Sequence, residues 1–320
     1  MSRLEITQAA SALLTVRWPF LAAALGTFAA SLVLGNVQWM ALLSFQGIRL
    51  SFIQALSFYF VGAFFNNFLP ANIGGDVVRV YDVYKASGRS EETIAATVTD
   101  RLFGMVALAL LAMPAGVFVA LRYERFGLDK GFGLWSFGIV LAFVGILGLT
   151  FFLIFSRRLA KGVERIIRPI LIRGTRDRFK RIYESFHAYR NSRQTLTKVL
   201  ALAIVVQTCR VLVHYQVSQA MGLGIPSIYF FLFIPVIAIF IALPISIGGL
   251  GVREGLGIFF FCTAVPGLGK EQAFTMGFLA YVVGVVVSLA GGVIYLTRGL
   301  APGQIQEEFS EGRLTNAHHG

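Results

Sequence analysis

Along this chain the apolar residues come in long uninterrupted blocks, and the polar residues gather between them. Blocks cover 19–35 (extending to about 43), 51–70, 95–121, 132–155, 199–223, 227–243 and 273–296, with a shorter one at 255–265. Apolar helices of about 18 residues or more, rising 1.5 Å per residue, can cross a ~30 Å hydrocarbon core. The pattern predicts an all-α, polytopic membrane helix bundle of seven to eight spans. The count turns on 255–265. As a half-helix that turns back it leaves seven spans and an external C-terminus; as a short tilted crossing it makes eight and an internal one. The block 227–243 is also short, at about 17 residues or ~25 Å, and carries Pro235 inside it and Pro244 just after it. The blocks divide the chain into a first membrane half (1–155), a loop (156–198), a second membrane half (199–300) and a polar tail (301–320). The tail, with Glu307, Glu308 and Glu311, reads as disordered.

Composition supports this reading. Hydrophobic residues make up 56% and charged residues 14%, against about a quarter charged in an average soluble domain, which excludes a soluble protein with one or two cores. Arg3 and Arg17 precede the first block, but the preamble is long for a secretory signal and a second apolar run follows at once, so the first block is expected to be a retained span. Net charge is +12, and thirteen Lys or Arg fall in 156–198, opposed only by Glu164, Asp177 and Glu184. The positive-inside rule makes this loop cytoplasmic. Its place between two spans argues against nucleic acid. Contact with anionic lipid, at about 1 kcal/mol per basic residue, fits better. Ile166, Ile170 and Phe179 suggest amphipathic segments on the membrane surface. A protein partner at this loop stays open.

Counting back from that loop puts the N-terminus in the cytoplasm of a chain set in the inner (cytoplasmic) membrane. The count takes 51–70 as a complete crossing.

Two of the blocks end on nearly the same words. Leu69-Pro70-Ala71-Asn72-Ile73-Gly74-Gly75-Asp76-Val77-Val78-Arg79 returns 174 positions later as Leu243-Pro244-Ile245-Ser246-Ile247-Gly248-Gly249-Leu250-Gly251-Val252-Arg253, with seven of eleven positions identical. Chance would give about one. Paired Pro/Gly interruptions in corresponding halves of a hydrophobic chain point to a transporter's binding site. Pro70 and Pro244 each remove a backbone donor, Gly74–Gly75 and Gly248–Gly249 permit unusual backbone and close approach, and Arg79 and Arg253 add a planar, multi-donor cation suited to phosphate. Asp76 faces Leu250 in the alignment, so the halves are not chemically equal. Glu254 follows Arg253. Asn66 and Asn67 precede the first break. In the crossing count both copies lie on one side, which favours a parallel repeat; were 51–70 or 227–243 re-entrant, the repeat would be inverted.

Ser90 reads as the cap of the helix that holds the third block, and Asp100 and Arg101 stand about ten residues in from it, roughly 15 Å along the axis. Ionisable groups at such depth face the bundle interior or a wet cavity, and a structural ion pair is the alternative. Arg210 and His214, one turn apart in the fifth block, raise the same question without a motif around them. No metal-ligand spacing, P-loop or catalytic cluster appears, so no cofactor and no enzymatic activity are expected.

At these residues the chain resembles the transmembrane region of the lysylphosphatidylglycerol synthase family, flippase-like membrane proteins. The likeness runs from Asn66 through Arg79, over Asp100-Arg101-Leu102, and from Leu243 through Gly255, and covers roughly 10–300. Bifunctional members add a soluble aminoacyl transferase domain; only about twenty polar residues follow the last block here, so that activity is not carried over. The resemblance implies movement of a lipid between leaflets. The expected function is therefore a flippase for an anionic or phosphate-containing lipid, or for a lipid-linked intermediate. Its headgroup site would comprise Asn66, Asn67, Pro70, Gly74, Gly75, Asp76, Arg79, Asp100, Arg101, Pro244, Gly248, Gly249, Arg253 and Glu254. A non-transporting assembly partner, and less so an integral-membrane lipid transferase, are the alternatives.

Overall fold

The computed structural model describes residues 17–69, 74–121, 192–242 and 249–299, together with isolated positions between 131 and 189. Most of the block 132–155, most of the basic loop and the tail lie outside the described residues, as do Pro70, Pro244 and Gly248. Eight helices occur among the described residues: α1 (Trp18–Phe45), α2 (Phe52–Asn66), α3 (Gly74–Ser87), α4 (Ser90–Leu121), α5 (Arg193–Ala220), α6 (Ser227–Ala242), α7 (Val252–Ala264) and α8 (Lys270–Gly299). The fold is an all-α membrane bundle with an internal repeat. A long helix, two short ones and a second long helix occur in that order twice. Among the described residues, only α1, α4, α5 and α8 are long and apolar enough to cross a membrane.

The short helices pair into hairpins. In the first, Gly62 packs on Gly75 and Tyr59 stacks under Arg79, so α2 and α3 run antiparallel. The base closes where Arg298, at the end of α8, meets both Asp82 (3.3 Å) and Ser57. Arg89 donates to the Gln46 carbonyl (3.0 Å), bringing the chain after the hairpin back to the end of α1. The expectation that 51–70 crosses the membrane is thus corrected: α2 has 15 residues, about 22 Å of helix, and then returns. The second hairpin repeats the design. Ile241 sits against Gly249 and Phe233 stacks on Phe260 at 5.1 Å. The segment 255–265 is a half-helix that turns back.

α1 and α5 lie side by side in opposite directions. The Arg17 N–H donates to the Ala220 carbonyl (2.9 Å) at one end, and Tyr189 OH donates to the Leu42 carbonyl (2.9 Å) near the other. The two halves are therefore inverted, and the parallel arrangement favoured by the crossing count does not hold. Each hairpin enters from its own end. One apolar core surrounds the α6–α7 hairpin and includes Ala24, Val119 and Ala264. The other surrounds the α2–α3 hairpin and includes Leu42, Val83 and Tyr189. Because Arg17 and Tyr189 occupy opposite ends, the N-terminal end of α1 and the described residues around Tyr189 do not share a face. The count that put both in the cytoplasm fails with the crossing it assumed.

Candidate functional site

Between the two cores, at mid-depth, lies a cavity of about 350 Å³. Its polar wall begins where α2 ends. Asn67 donates to Ser288 Oγ of α8 (2.7 Å), while Asn66 Oδ1 accepts from the Gly75 N–H (3.0 Å). That N–H is one of the donors a helix start leaves without an intrahelical acceptor, so Asn66 ties the returning helix to the outgoing one. Glycine is required at 75 because a Cβ there would run into the Gly62 carbonyl oxygen; the reverse approach, a Cβ on Gly62 to Gly75 O, would be 2.8 Å.

Asp76 and Arg79 lie one turn apart on α3 and meet Asp100 and Arg101 of α4. Arg79 Nη2 bonds Asp100 Oδ2 at 3.1 Å, and Arg79 Nε is 3.1 Å from Asp76 Oδ1, a charge contact without hydrogen-bond alignment. Arg101 Nε bonds Asp76 Oδ2 at 2.7 Å. Gln38 of α1 donates to Asp100 Oδ1 at 2.8 Å. The result is an alternating chain, Arg101–Asp76–Arg79–Asp100–Gln38. The Arg79 guanidinium is further held over the rings of Trp39 (4.9 Å) and Tyr59 (5.2 Å). Arg79 is 4% exposed, whereas the Arg101 side chain is 38% exposed. The sequence alternatives of ligand site and structural ion pair thus separate along this chain: Arg79 is enclosed by its partners, and Arg101 reaches open space.

The second motif is built differently. Gly249 has φ +79°, a left-handed conformation that favours glycine, whereas Gly74 and Gly75 are the first residues of a regular helix. Arg253 lies over the Tyr281 ring at 4.8 Å, and Tyr281 OH donates to the Asn67 carbonyl (3.4 Å). Tyr281 therefore touches the tips of both hairpins. Glu254, counted above among the headgroup-site residues, accepts from the Gly251 N–H at 2.7 Å and closes the start of its own helix.

Asn66, Asn67, Asp76, Arg79, Asp100, Arg101 and Arg253 all line the cavity. Gly74, Gly75, Gly249 and Glu254 shape the hairpins instead. Pro70, Pro244 and Gly248 lie outside the described residues. Arg210 and His214 also line the cavity, as do Gln38, Tyr59 and Tyr281, which the sequence reading passed over. Gln38 had a weak signal, an amide within an apolar run; the two tyrosines had none. Phe28, Leu32, Ile237 and Met276 supply apolar wall. Four arginines face two aspartates here, so the cavity is cationic. Among the described residues, no three His, Cys, Asp or Glu side chains converge on a point that would hold a metal ion.

Comparison with known proteins finds membrane proteins. The family described as lysylphosphatidylglycerol synthase TM region matches residues 1–298. A UPF0104 membrane protein of Pyrococcus horikoshii is 28% identical over 109 residues, 33% of this chain and 32% of that one. Another, from Methanothermobacter thermautotrophicus, is 23% identical over 293 residues, 82% of this chain and 80% of the relative.

Proposed function

We propose that this chain, which belongs to the lysylphosphatidylglycerol synthase transmembrane-region family, carries an anionic lipid headgroup, or that of a lipid-linked intermediate, across the bilayer. The protein is a multi-pass integral membrane protein; the transport role is the step beyond that. The observation that carries it is a cationic cavity at mid-depth, gripped by two short hairpins that enter from opposite ends. Inverted repeats with broken helices meeting at the midplane suit alternating access, since either half can rock against the other and open the site to one leaflet at a time. The volume sits at the lower end of small-molecule sites, enough for a headgroup whose acyl chains stay in the lipid. The role requires no covalent chemistry, and it is read as transport without an enzymatic step. With no nucleotide-binding motif in the sequence, movement would be passive or ion-coupled unless a partner supplies energy.

Arg49, Lys85, Arg89, Arg181 and Arg298 cluster at the end where the first hairpin enters, against Arg17 and Lys270 at the other. The positive-inside rule supports an orientation with the first hairpin's base on the cytoplasmic side and the Arg17 end on the other, in keeping with a chain of the cytoplasmic membrane.

The test is leaflet exchange of fluorescent phosphatidylglycerol and phosphatidylcholine in proteoliposomes, followed by dithionite quenching. Wild type is expected to accelerate exchange of the anionic lipid, and Arg101→Gln/Arg253→Gln to lose most of it. Equal exchange by wild type and the double variant would reject the headgroup cavity.

A further inference from the structure

We infer that Arg210 of α5 is the cavity's leading contact for a phosphate oxyanion, and that Arg79 is a positioning residue. This rests on the headgroup reading above and assigns the grip within it. Arg210 lies 17 residues into a 28-residue helix, about 25 Å from one end and 15 Å from the other. It lines the cavity, and among the described residues it makes no hydrogen bond or ion pair. Arg79, by contrast, spends its guanidinium on Asp76 and Asp100, between two aromatic rings.

The asymmetry has a cause in the repeat. Both cavity carboxylates, Asp76 and Asp100, belong to the first half. In the second half Leu250 stands at the place of Asp76, and α5 and α6 contain no Asp or Glu at all. The first-half carboxylates are shared out along the Arg101–Asp76–Arg79–Asp100 chain, so they do not turn an anion away. Arg210 also sits in a stripe. Gln207, Arg210 and His214, spaced three and four apart, fall on one face of α5 and all three line the cavity. An arginine at mid-span is costly without a partner and is found where a wet cavity or a ligand receives it. Its planar fork matches two oxygens of one phosphate group. A lipid phosphodiester and free inorganic phosphate share that chemistry.

The test is thermal unfolding of the purified full chain in detergent, titrated separately with dioctanoyl-phosphatidylglycerol, dioctanoylglycerol and inorganic phosphate. Wild type is expected to be stabilised by the phosphatidylglycerol and not by the phosphate-free diacylglycerol. In Arg210→Gln the apparent affinity should fall at least about tenfold, with an unliganded Tm equal to or above wild type, because an unpaired cation has been removed. Arg210→Lys should lie between, which keeps the test open if the glutamine variant fails to fold. Arg79→Gln should lower the unliganded Tm yet keep the lipid-induced shift. A wild-type-sized shift in Arg210→Gln would overturn the assignment and leave the headgroup reading standing. No shift of wild type with either phosphate probe would overturn both. A shift with inorganic phosphate only, lost in Arg210→Gln, would support Arg210 and reject the lipid.

Discussion

Arg79 and Arg210 carry the same charge to the same cavity and stand in opposite circumstances. Removing one member of a buried ion pair strands the other, at a cost of about 3–5 kcal/mol. Arg79→Ala should therefore lower the Tm steeply, and Asp100→Asn should do so to a lesser degree. In the double variant Arg79→Gln/Asp100→Asn the losses should be less than additive, since neither charge is left alone. Thermal unfolding in detergent checks this; additive losses would show that the two side chains are not coupled. The sequence made Asp76, Arg79, Asp100 and Arg101 visible because a charge in an apolar run is conspicuous. It did not show that three of the four are enclosed by one another. Arg210 is visible too, with no motif around it; its worth depends on which carboxylates are already engaged by other arginines, and that is set in space.

Among elements, the two Gly pairs share letters and differ in task. Gly75 lets two helices touch backbone to backbone at Gly62, whereas Gly249 supplies a left-handed turn before α7. Gly75→Ala forces α2 and α3 apart, an overpacking cost of about 1–3 kcal/mol. Gly249→Ala strains the left-handed backbone by about 1–2 kcal/mol and in addition presses its Cβ on the Ile241 side chain. The distinction is testable by combination. Gly62→Ala with Gly75→Ala should cost less than the sum, because one separation relieves both clashes. Gly62→Ala with Gly249→Ala should be additive, the sites lying in different hairpins. Additivity in the first pair would mean that the hairpin is not held by that contact. Sequence identity between the two breaks was sufficient to find the breaks and their glycines, but φ and interhelical distance, which separate the tasks, are properties of the folded chain.

For the whole molecule, what the repeat could not reveal was its direction. A block such as 51–70 has the length and composition of a span, and composition does not register that the helix stops at Asn66 and comes back along itself. Counted back from the basic loop, one misjudged crossing reverses the side of everything before it and places the N-terminus with the loop. The inverted arrangement makes a prediction that the crossing count contradicts outright. Single cysteines are placed at Arg49, Ala86 and Ser227, all exposed, with Cys209 and Cys262 replaced. Arg49 lies before the first hairpin and Ala86 near its end, while Ser227 opens α6 at the other end of the bundle. In sealed vesicles of one orientation, a membrane-impermeant maleimide should modify Arg49→Cys and Ala86→Cys from the same side and Ser227→Cys from the opposite side. If α2 crossed the bilayer, positions 49 and 86 would label from opposite sides. That result would remove the re-entrant hairpin, and with it the central cavity on which the proposed transport depends.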